Sequence, residues 1–411
     1  MTVGVRAGRK WCDGGVLTLD GDRLRQLDDA MRGYADGNEL PGLVWAVARG
    51  EQAHVRFAGH LDLESGVPVN RDSIFRISSM TKPVTAVAAL LLVEDGRLGL
   101  DDPIDDLVPE LSRRQVLARP DGPLTLTVPA ERSITVRDLL TFRAGLGFDF
   151  TGASGQAVMA RAAELGIAVG PPSPAVLPAP EEYMGRLGQL PLVWQPGEHW
   201  LYHTPSDVIG VLVARAAEQP FAEFLGERLF GPLGMVDTGF AVKGGQRRRF
   251  GPCYGTDPET KRLQSYDPAD GQWANPPLFS SGADGLVSTA DDFLTFARLL
   301  LAGGVHGRRR LLSEALVTAM TTNQLALEQV SGIDPNGTLG WGFGVGVQLR
   351  QVGRGRPVGA YGWDGGLGTC WSNDPGHGLA MVLLTNQMWT SPTPPAVAQE
   401  FVELACGVVT S

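Results

Sequence analysis

Strand-like segments lie near both ends of this chain, and mainly helical segments lie between them. Apolar and β-branched runs bounded by turn residues are typical of strands. Such runs occur at 42–49, 54–59, 342–349, 358–362, 368–373 and 379–385. Apolar residues at helical spacing predict helices in the middle, for example at 134–142, 206–218 and 220–229. This order predicts one sheet built from both ends, a helical region inserted between them, and a cleft where the two parts meet.

The change of pattern along the chain predicts three parts. Residues 1–100 and 281–411 are expected to form one domain of strands and helices, and residues 101–280 a mainly helical domain. Residues 166–180 are rich in proline and glycine, which predicts an exposed loop.

The charge balance favours small neutral or apolar ligands. The formal net charge of −10 argues against a nucleic-acid or anionic-membrane surface, because both need basic patches. The longest apolar run, 84–93, is too short to cross a bilayer. The first 15 residues carry basic residues without an apolar run behind them, so no secretory signal is expected and the predicted location is cytoplasmic.

The cysteines and histidines do not form a metal-binding pattern. Four scattered cysteines without a CxxC pair are typical of free thiols in a reducing compartment: Cys12, Cys253, Cys370 and Cys406. The six histidines include no HExxH sequence. We therefore expect neither a metal nor a cofactor.

The segment Ser79-Met80-Thr81-Lys82 opens a strongly apolar helix. Side chains three residues apart share one helix face, so the Lys82 amine can reach the Ser79 hydroxyl. A buried lysine with a lowered pKa can take the proton of a serine, whereas arginine cannot lose its own proton. Only four of the 35 basic residues are lysines, which makes a lysine at this position informative. The helix start also offers unpaired N–H groups to an oxyanion.

An isolated S-x-x-K sequence is more often a helix cap with an exposed lysine, so the interpretation needs companions. One is Tyr202, whose phenol could relay a proton from a nearby lysine, although a core tyrosine is the alternative. The other is the glycine-rich stretch 362–369, where the N–H of Gly366 is a candidate oxyanion donor beside that of Ser79. A plain hairpin is the alternative there.

With these three motifs in this order, the chain resembles the class C β-lactamase and penicillin-binding-protein-like serine hydrolases, and most closely the family VIII carboxylesterases. The resemblance runs from about residue 25 to 405. It implies an α+β fold with an antiparallel sheet flanked by helices and an inserted helical domain. It also implies that Ser79 is the nucleophile, Lys82 its base and Tyr202 the tyrosine of the second motif, with Trp363-Asp364-Gly365 as the third motif.

Two departures from the lactamase pattern concern the substrate. Thr204 stands where the lactamases and peptidases usually have asparagine, and Trp363 stands where they have a lysine that pairs with a substrate carboxylate. Asp364 adds a negative charge, which disfavours anionic substrates. We therefore expect Trp363, Asp364, Gly365 and Thr204 to contact substrate.

These observations favour a carboxylesterase that acts on small neutral esters through an acyl-enzyme. An acyltransferase of a biosynthetic pathway would use the same residues. A β-lactamase or D-amino-acid peptidase is disfavoured by Thr204 and Trp363. A non-catalytic binding protein with the same fold is disfavoured by the intact Ser79, Lys82 and Tyr202.

Overall fold

The computed structural model describes residues 18–167 and 169–409. Cys12 and the other residues of the segment 1–15, where no secretory signal is expected, lie outside these ranges. The strands in chain order are β1 (Gly42–Arg49), β2 (Gln52–Asp62), β3 (Val67–Pro68), β4 (Phe75–Arg76), β5 (Gln115–Leu117), β6 (Thr127–Pro129), β7 (Cys253–Thr256), β8 (Leu263–Asp267), β9 (Val287–Ser288), β10 (Val305–His306), β11 (Arg309–Arg310), β12 (Leu339–Trp341), β13 (Gly346–Gln348), β14 (Tyr361–Gly365), β15 (Thr369–Asp374) and β16 (Leu379–Thr385).

Most of the helices lie between β3 and β12 in the chain. In chain order they are α1 (Gly21–Asp36), α2 (Thr81–Glu94), α3 (Val136–Leu140), α4 (Gln156–Glu164), α5 (Pro180–Leu187), α6 (Thr204–Ala217), α7 (Phe221–Leu225), α8 (Gly231–Leu233), α9 (Ala290–Leu301), α10 (Glu314–Met320), α11 (Leu327–Val330) and α12 (Ala396–Cys406). In the described ranges, none of these helices is both long and apolar enough to span a membrane.

The main sheet joins the two ends of the chain. Its eight strands are ordered β12-β13-β14-β15-β16-β1-β2-β3, and each neighbouring pair is antiparallel. The pairing of β1 with β16 places Val44 opposite Leu384 and Val47 opposite Met381. These findings confirm the predicted α+β fold with an antiparallel sheet built from both ends. The division at residues 100 and 280 stays a prediction.

Both faces of the central strands are covered, which explains why β1 and β16 are apolar throughout. Alternate side chains of a strand point to opposite faces. Leu43, Trp45 and Val47 pack with α1 and α12, whereas Val44 and Ala46 belong to the core that contains α2 and α9. Helix α2 is buried over most of its length and contacts α6.

The predicted elements differ from the structure mainly where glycines turn the chain. The strand predicted at 342–349 covers only the turn after β12 and the strand β13, because Gly344 in that turn has a φ of +70°. The helix predicted at 220–229 is α7 followed by a wider turn over Gly226–Phe230. The predicted loop at 166–180 contains a short 3₁₀ turn at Pro174–Val176, and its buried Pro172 and Pro174 show that it packs on the protein.

Candidate active site

Ser79 and Lys82 are in direct contact at the start of α2. The chain enters this helix through a 3₁₀ turn, Ser78–Met80, so the two side chains lie one turn apart on the same face. The Lys82 Nζ lies 2.9 Å from Ser79 Oγ and donates to the Ala283 carbonyl at 2.8 Å. Pro83 sits in the first turn of α2, where no helical N–H donor is needed. The structure therefore brings the predicted alcohol and amine together.

The Lys82 amine is enclosed by protein. Its side chain is 0% exposed, and this burial lowers the pKa of Lys82 to about 8, while the charges of Asp284 and Asp207 act in the opposite direction. A substantial fraction of the amine is therefore neutral in mildly alkaline solution. In that state the same contact can run from the Ser79 hydroxyl to the nitrogen, which is the geometry a base requires.

Tyr202 lies over this amine. The Lys82 Nζ is 4.4 Å from the centre of the phenol ring, and the Trp363 indole N–H donates to the Tyr202 oxygen at 2.5 Å. Burial raises the pKa of Tyr202 above its ordinary value, although Ser79 and Trp363 act against this. The phenol is therefore neutral and can donate a proton or hydrogen bond.

A strained turn fixes the position of Tyr202. His203 has φ +80° and ψ −74°, and the Thr204 N–H donates to the Tyr202 carbonyl at 3.2 Å, which together define a γ-turn of the rare positive-φ type. Two hydrogen bonds with the Phe148 backbone hold the other side of Tyr202. Strain of this kind persists only where the surrounding structure over-determines it, and it is frequent at functional sites.

The third motif lies on β14, where successive side chains point to opposite faces. Trp363 packs edge-on against Trp341 with ring centres 4.6 Å apart. Asp364 accepts a hydrogen bond from Arg356 at 2.7 Å, so its charge is paired rather than free to repel an anion. This pairing weakens the predicted effect of Asp364 on anionic substrates. A Cβ at Gly365 would lie 2.3 Å from the Ile77 carbonyl, so only glycine lets β14 approach the segment before Ser79.

A cavity of about 550 Å³ opens above Ser79 and Tyr202. One part of its wall is apolar and largely aromatic and consists of Phe148, Phe150, Ile333, Leu339 and Trp363. Another part follows the glycine-rich stretch and the chain after β16 and includes Gly366, Leu367, Met388, Trp389, Pro392 and Pro394. Residues 169–172 of the predicted loop also contribute. The volume and apolar lining are typical of small-molecule sites.

Most of the predicted site residues meet at this cavity, and two do not. Ser79, Tyr202, Trp363, Asp364 and Gly366 line it, and Lys82 lies buried directly behind Ser79. Thr204 is buried in the first turn of α6 and Gly365 packs on Ile77, so neither is part of the cavity wall.

Sequence reasoning missed several polar residues at the site. Arg356, His203 and Asp284 line the cavity, and Asp207 is buried beside the last two. Two signals were available: Asp207 is an acidic residue in an otherwise apolar helix segment, and Asp284 directly precedes an apolar strand. Nothing in the local pattern around Arg356 indicates its pairing with Asp364.

Comparisons with known proteins show the family to which the chain is similar. Residues 27–400 match the family model described as Beta-lactamase. Esterase EstB of Burkholderia gladioli is 32% identical over 399 residues, which cover 92% of this chain and 95% of that protein. Acyltransferase calJ of Penicillium decumbens is 29% identical over 353 residues, which cover 78% of each protein.

A solved structure shares the fold over nearly the whole length. EstCE1, described as a hydrolase with promiscuous acyltransferase activity, superposes with a TM-score of 0.74 at 23% identity and covers 94% of this chain and 98% of its own. Together with the family match, this confirms the resemblance predicted from the three motifs. The chain belongs to the β-lactamase family.

Proposed function

We propose that this protein hydrolyses neutral carboxylic esters through an acyl-enzyme on Ser79. The observation that carries the proposal is the contact of 2.9 Å between Ser79 Oγ and the buried Lys82 Nζ at the floor of an apolar cavity. The relatedness to Esterase EstB supports it.

In the first half of the reaction, Ser79 Oγ bonds to the ester carbonyl carbon while its proton passes to neutral Lys82. The backbone N–H groups of Ser79 and Gly366 are assigned to the oxyanion. The carbon–oxygen bond to the alcohol then breaks, and the alcohol takes its proton from Lys82 through the neutral phenol of Tyr202. In the second half, water loses a proton to Lys82 through Tyr202 and attacks the acyl carbon. The bond from that carbon to Ser79 Oγ then breaks, and Ser79 takes its proton back from Lys82.

Replacing Tyr202 by phenylalanine is expected to lower kcat for ester hydrolysis by about 10²-fold, because the ring stays over Lys82 but the hydroxyl that relays the proton is lost. The measurement is steady-state release of butyric acid from ethyl butyrate, because its alkoxide leaving group needs a proton whereas p-nitrophenolate leaves without one. Tyr34→Phe is the matched control. Tyr34 lies on α1, where its hydroxyl donates to Glu400 of α12, and neither residue lines the cavity, so this variant should leave kcat unchanged. A Tyr202→Phe enzyme within threefold of wild type would remove the phenol from the mechanism.

Neutral esters are expected to be better substrates than anionic ones of similar size. The cations beside the cavity already have partners, since Arg356 donates to Asp364 and Lys82 to Ser79 and Ala283. We expect kcat/KM for p-nitrophenyl butyrate to exceed that for p-nitrophenyl hydrogen succinate by at least about tenfold, which is the effect of 1.4 kcal/mol. Trp363→Lys, which adds a cation, should narrow this ratio. Equal kcat/KM values for the neutral and the anionic ester in the wild type would contradict the assignment of neutral esters as the substrate class.

An acyltransferase is the second candidate. The relatedness to Acyltransferase calJ favours it, and so does a cavity of about 550 Å³, which has room for an acceptor besides the acyl group. Adding a primary alcohol during turnover separates the two activities: a hydrolase releases free acid, and a transferase diverts the acyl group into a new ester. β-Lactam hydrolysis ranks lower, because the residue that replaces the third-motif lysine, Trp363, directs its N–H to Tyr202.

We also propose a cytoplasmic location. Among the described residues, Cys253, Cys370 and Cys406 are free thiols. Free thiols are typical of proteins in a reducing compartment, which supports the proposal.

A further inference from the structure

Two aspartates lie buried behind Lys82 and have no part in the mechanism above. Asp207 belongs to α6 and Asp284 to the segment before β9, and their exposed fractions are 2% and 6%. The Ser281 hydroxyl lies 2.7 Å from Asp207 Oδ1 and 3.0 Å from Asp284 Oδ1. A hydroxyl has one proton and can donate to only one of these oxygens at a time. The two carboxyl groups therefore meet at a shared partner.

A single residue, Ala283, connects this pair to the amine. The Ala283 N–H donates to Asp207 Oδ1 at 3.2 Å, and the Ala283 carbonyl accepts from Lys82 Nζ at 2.8 Å. The charge of the pair consequently acts on Lys82 over a short path through buried protein, where electrostatic interactions are stronger than in water.

The other groups that face the pair are not positively charged. His203 Nε2 lies 3.6 Å from Asp207 and 3.9 Å from Asp284, but burial and the Lys82 charge hold the pKa of His203 well below its ordinary value. The Tyr183 hydroxyl donates to Asp207 at 3.3 Å. The negative charge of Asp284 also contributes to a raised pKa at two further phenols, Tyr202 and Tyr266. Lys82 is thus the cation in this part of the described structure.

Two buried carboxylates against one amine would leave an uncompensated charge. Burying such a charge is costly unless it is paired, and two close carboxyl groups avoid the cost when one of them keeps its proton. Burial raises the pKa of both Asp207 and Asp284, which agrees with this argument.

We propose that Asp207 and Asp284 share one proton and so present a single negative charge to Lys82. They are positioning residues, because they act on the reaction through the protonation of Lys82. The inference rests on the proposed function only in calling Lys82 a base; the shared proton itself is independent of turnover.

Shared and independent ionisation predict different results for asparagine variants. If one proton is shared, Asp207→Asn or Asp284→Asn leaves the remaining carboxylate charged, and the pKa of Lys82 changes little. The double variant removes the charge, and the pKa of Lys82 falls. If both carboxylates were charged, each single variant would lower that pKa by a similar step.

The test is an NMR titration of protein labelled with ¹³C at lysine Cε. Only four lysines are present, and the spectrum of Lys82→Met identifies the Lys82 signal. We expect the midpoint to move by less than about half a pH unit in each single variant and to fall by more than about one unit in Asp207→Asn/Asp284→Asn. A fall of about one unit or more in each single variant would overturn the proposal, because both carboxylates would then be charged in the wild type. Circular dichroism verifies that each variant is folded.

Infrared spectroscopy provides a second test that does not need the double variant. The wild type near neutral pH should show the carbonyl band of a buried protonated carboxyl group, and neither single variant should show it. Absence of the band in wild type would overturn the shared proton. Neither readout involves an ester, so a protein inactive on esters would refute the proposed function and leave this inference standing or falling on its own.

Discussion

Replacing Ser79 by alanine is expected to reduce ester turnover by about 10⁴-fold or more. The acyl-enzyme cannot form without the Ser79 oxygen, and removal of a nucleophile leaves only the residual effect of substrate binding and the oxyanion donors. The substitution removes one atom from a side chain that borders a cavity, so the packing of α2 should not change. The measurement is kcat/KM for p-nitrophenyl butyrate, with circular dichroism to verify folding.

Ser65→Ala is a matched control for this experiment. Ser65 is an exposed loop residue whose hydroxyl bonds Asp62, so its loss should leave kcat/KM unchanged. If Ser79→Ala kept a tenth of the wild-type rate, another group would have to be the nucleophile.

Replacing Lys82 by arginine is expected to reduce turnover by about 10³-fold or more, although the positive charge is kept. Arginine cannot lose its proton in a protein, so it cannot accept the proton of Ser79. The fully buried position also fits a slender amine that reaches the Ala283 carbonyl better than a guanidinium. Lys82→Met, which removes the base but keeps the length of the side chain, should show a similar loss.

The control for Lys82→Arg and Lys82→Met is Lys243→Arg, at an exposed lysine that should tolerate the change.

In the wild type, kcat/KM should rise with pH through about 8, because burial lowers the pKa of Lys82 to that value and only the neutral amine is a base. A Lys82→Arg enzyme with the same pH profile and at least a tenth of the wild-type rate would contradict the assignment.

The parts of the site that are local in the chain were predictable. The contact of Ser79 with Lys82 follows from helix geometry, since residues three apart share a face. The sheet built from both ends followed from the order of apolar runs, and the pairing of β1 with β16 confirms it.

Contacts between distant segments were not predictable from one sequence. The pairs Asp207–Asp284 and Tyr202–Trp363 bring together residues far apart in the chain, and tertiary packing alone determines their distances. The same limit explains why the structure differs from the expectations for Asp364 and Thr204. The sequence shows an acidic residue and a hydroxyl beside two motifs, but it does not show that Arg356 pairs with the first or that α6 buries the second.

The most direct test of the nucleophile and its base is to trap the acyl-enzyme and locate it. Protein mixed rapidly with p-nitrophenyl butyrate at several pH values is quenched in acid, digested and analysed by mass spectrometry. The account predicts a butyryl group on the peptide that contains Ser79, formed faster as pH rises through about 8 and nearly absent in Lys82→Met. A butyryl group on another residue, or equal rates of acylation with and without the Lys82 amine, would contradict it.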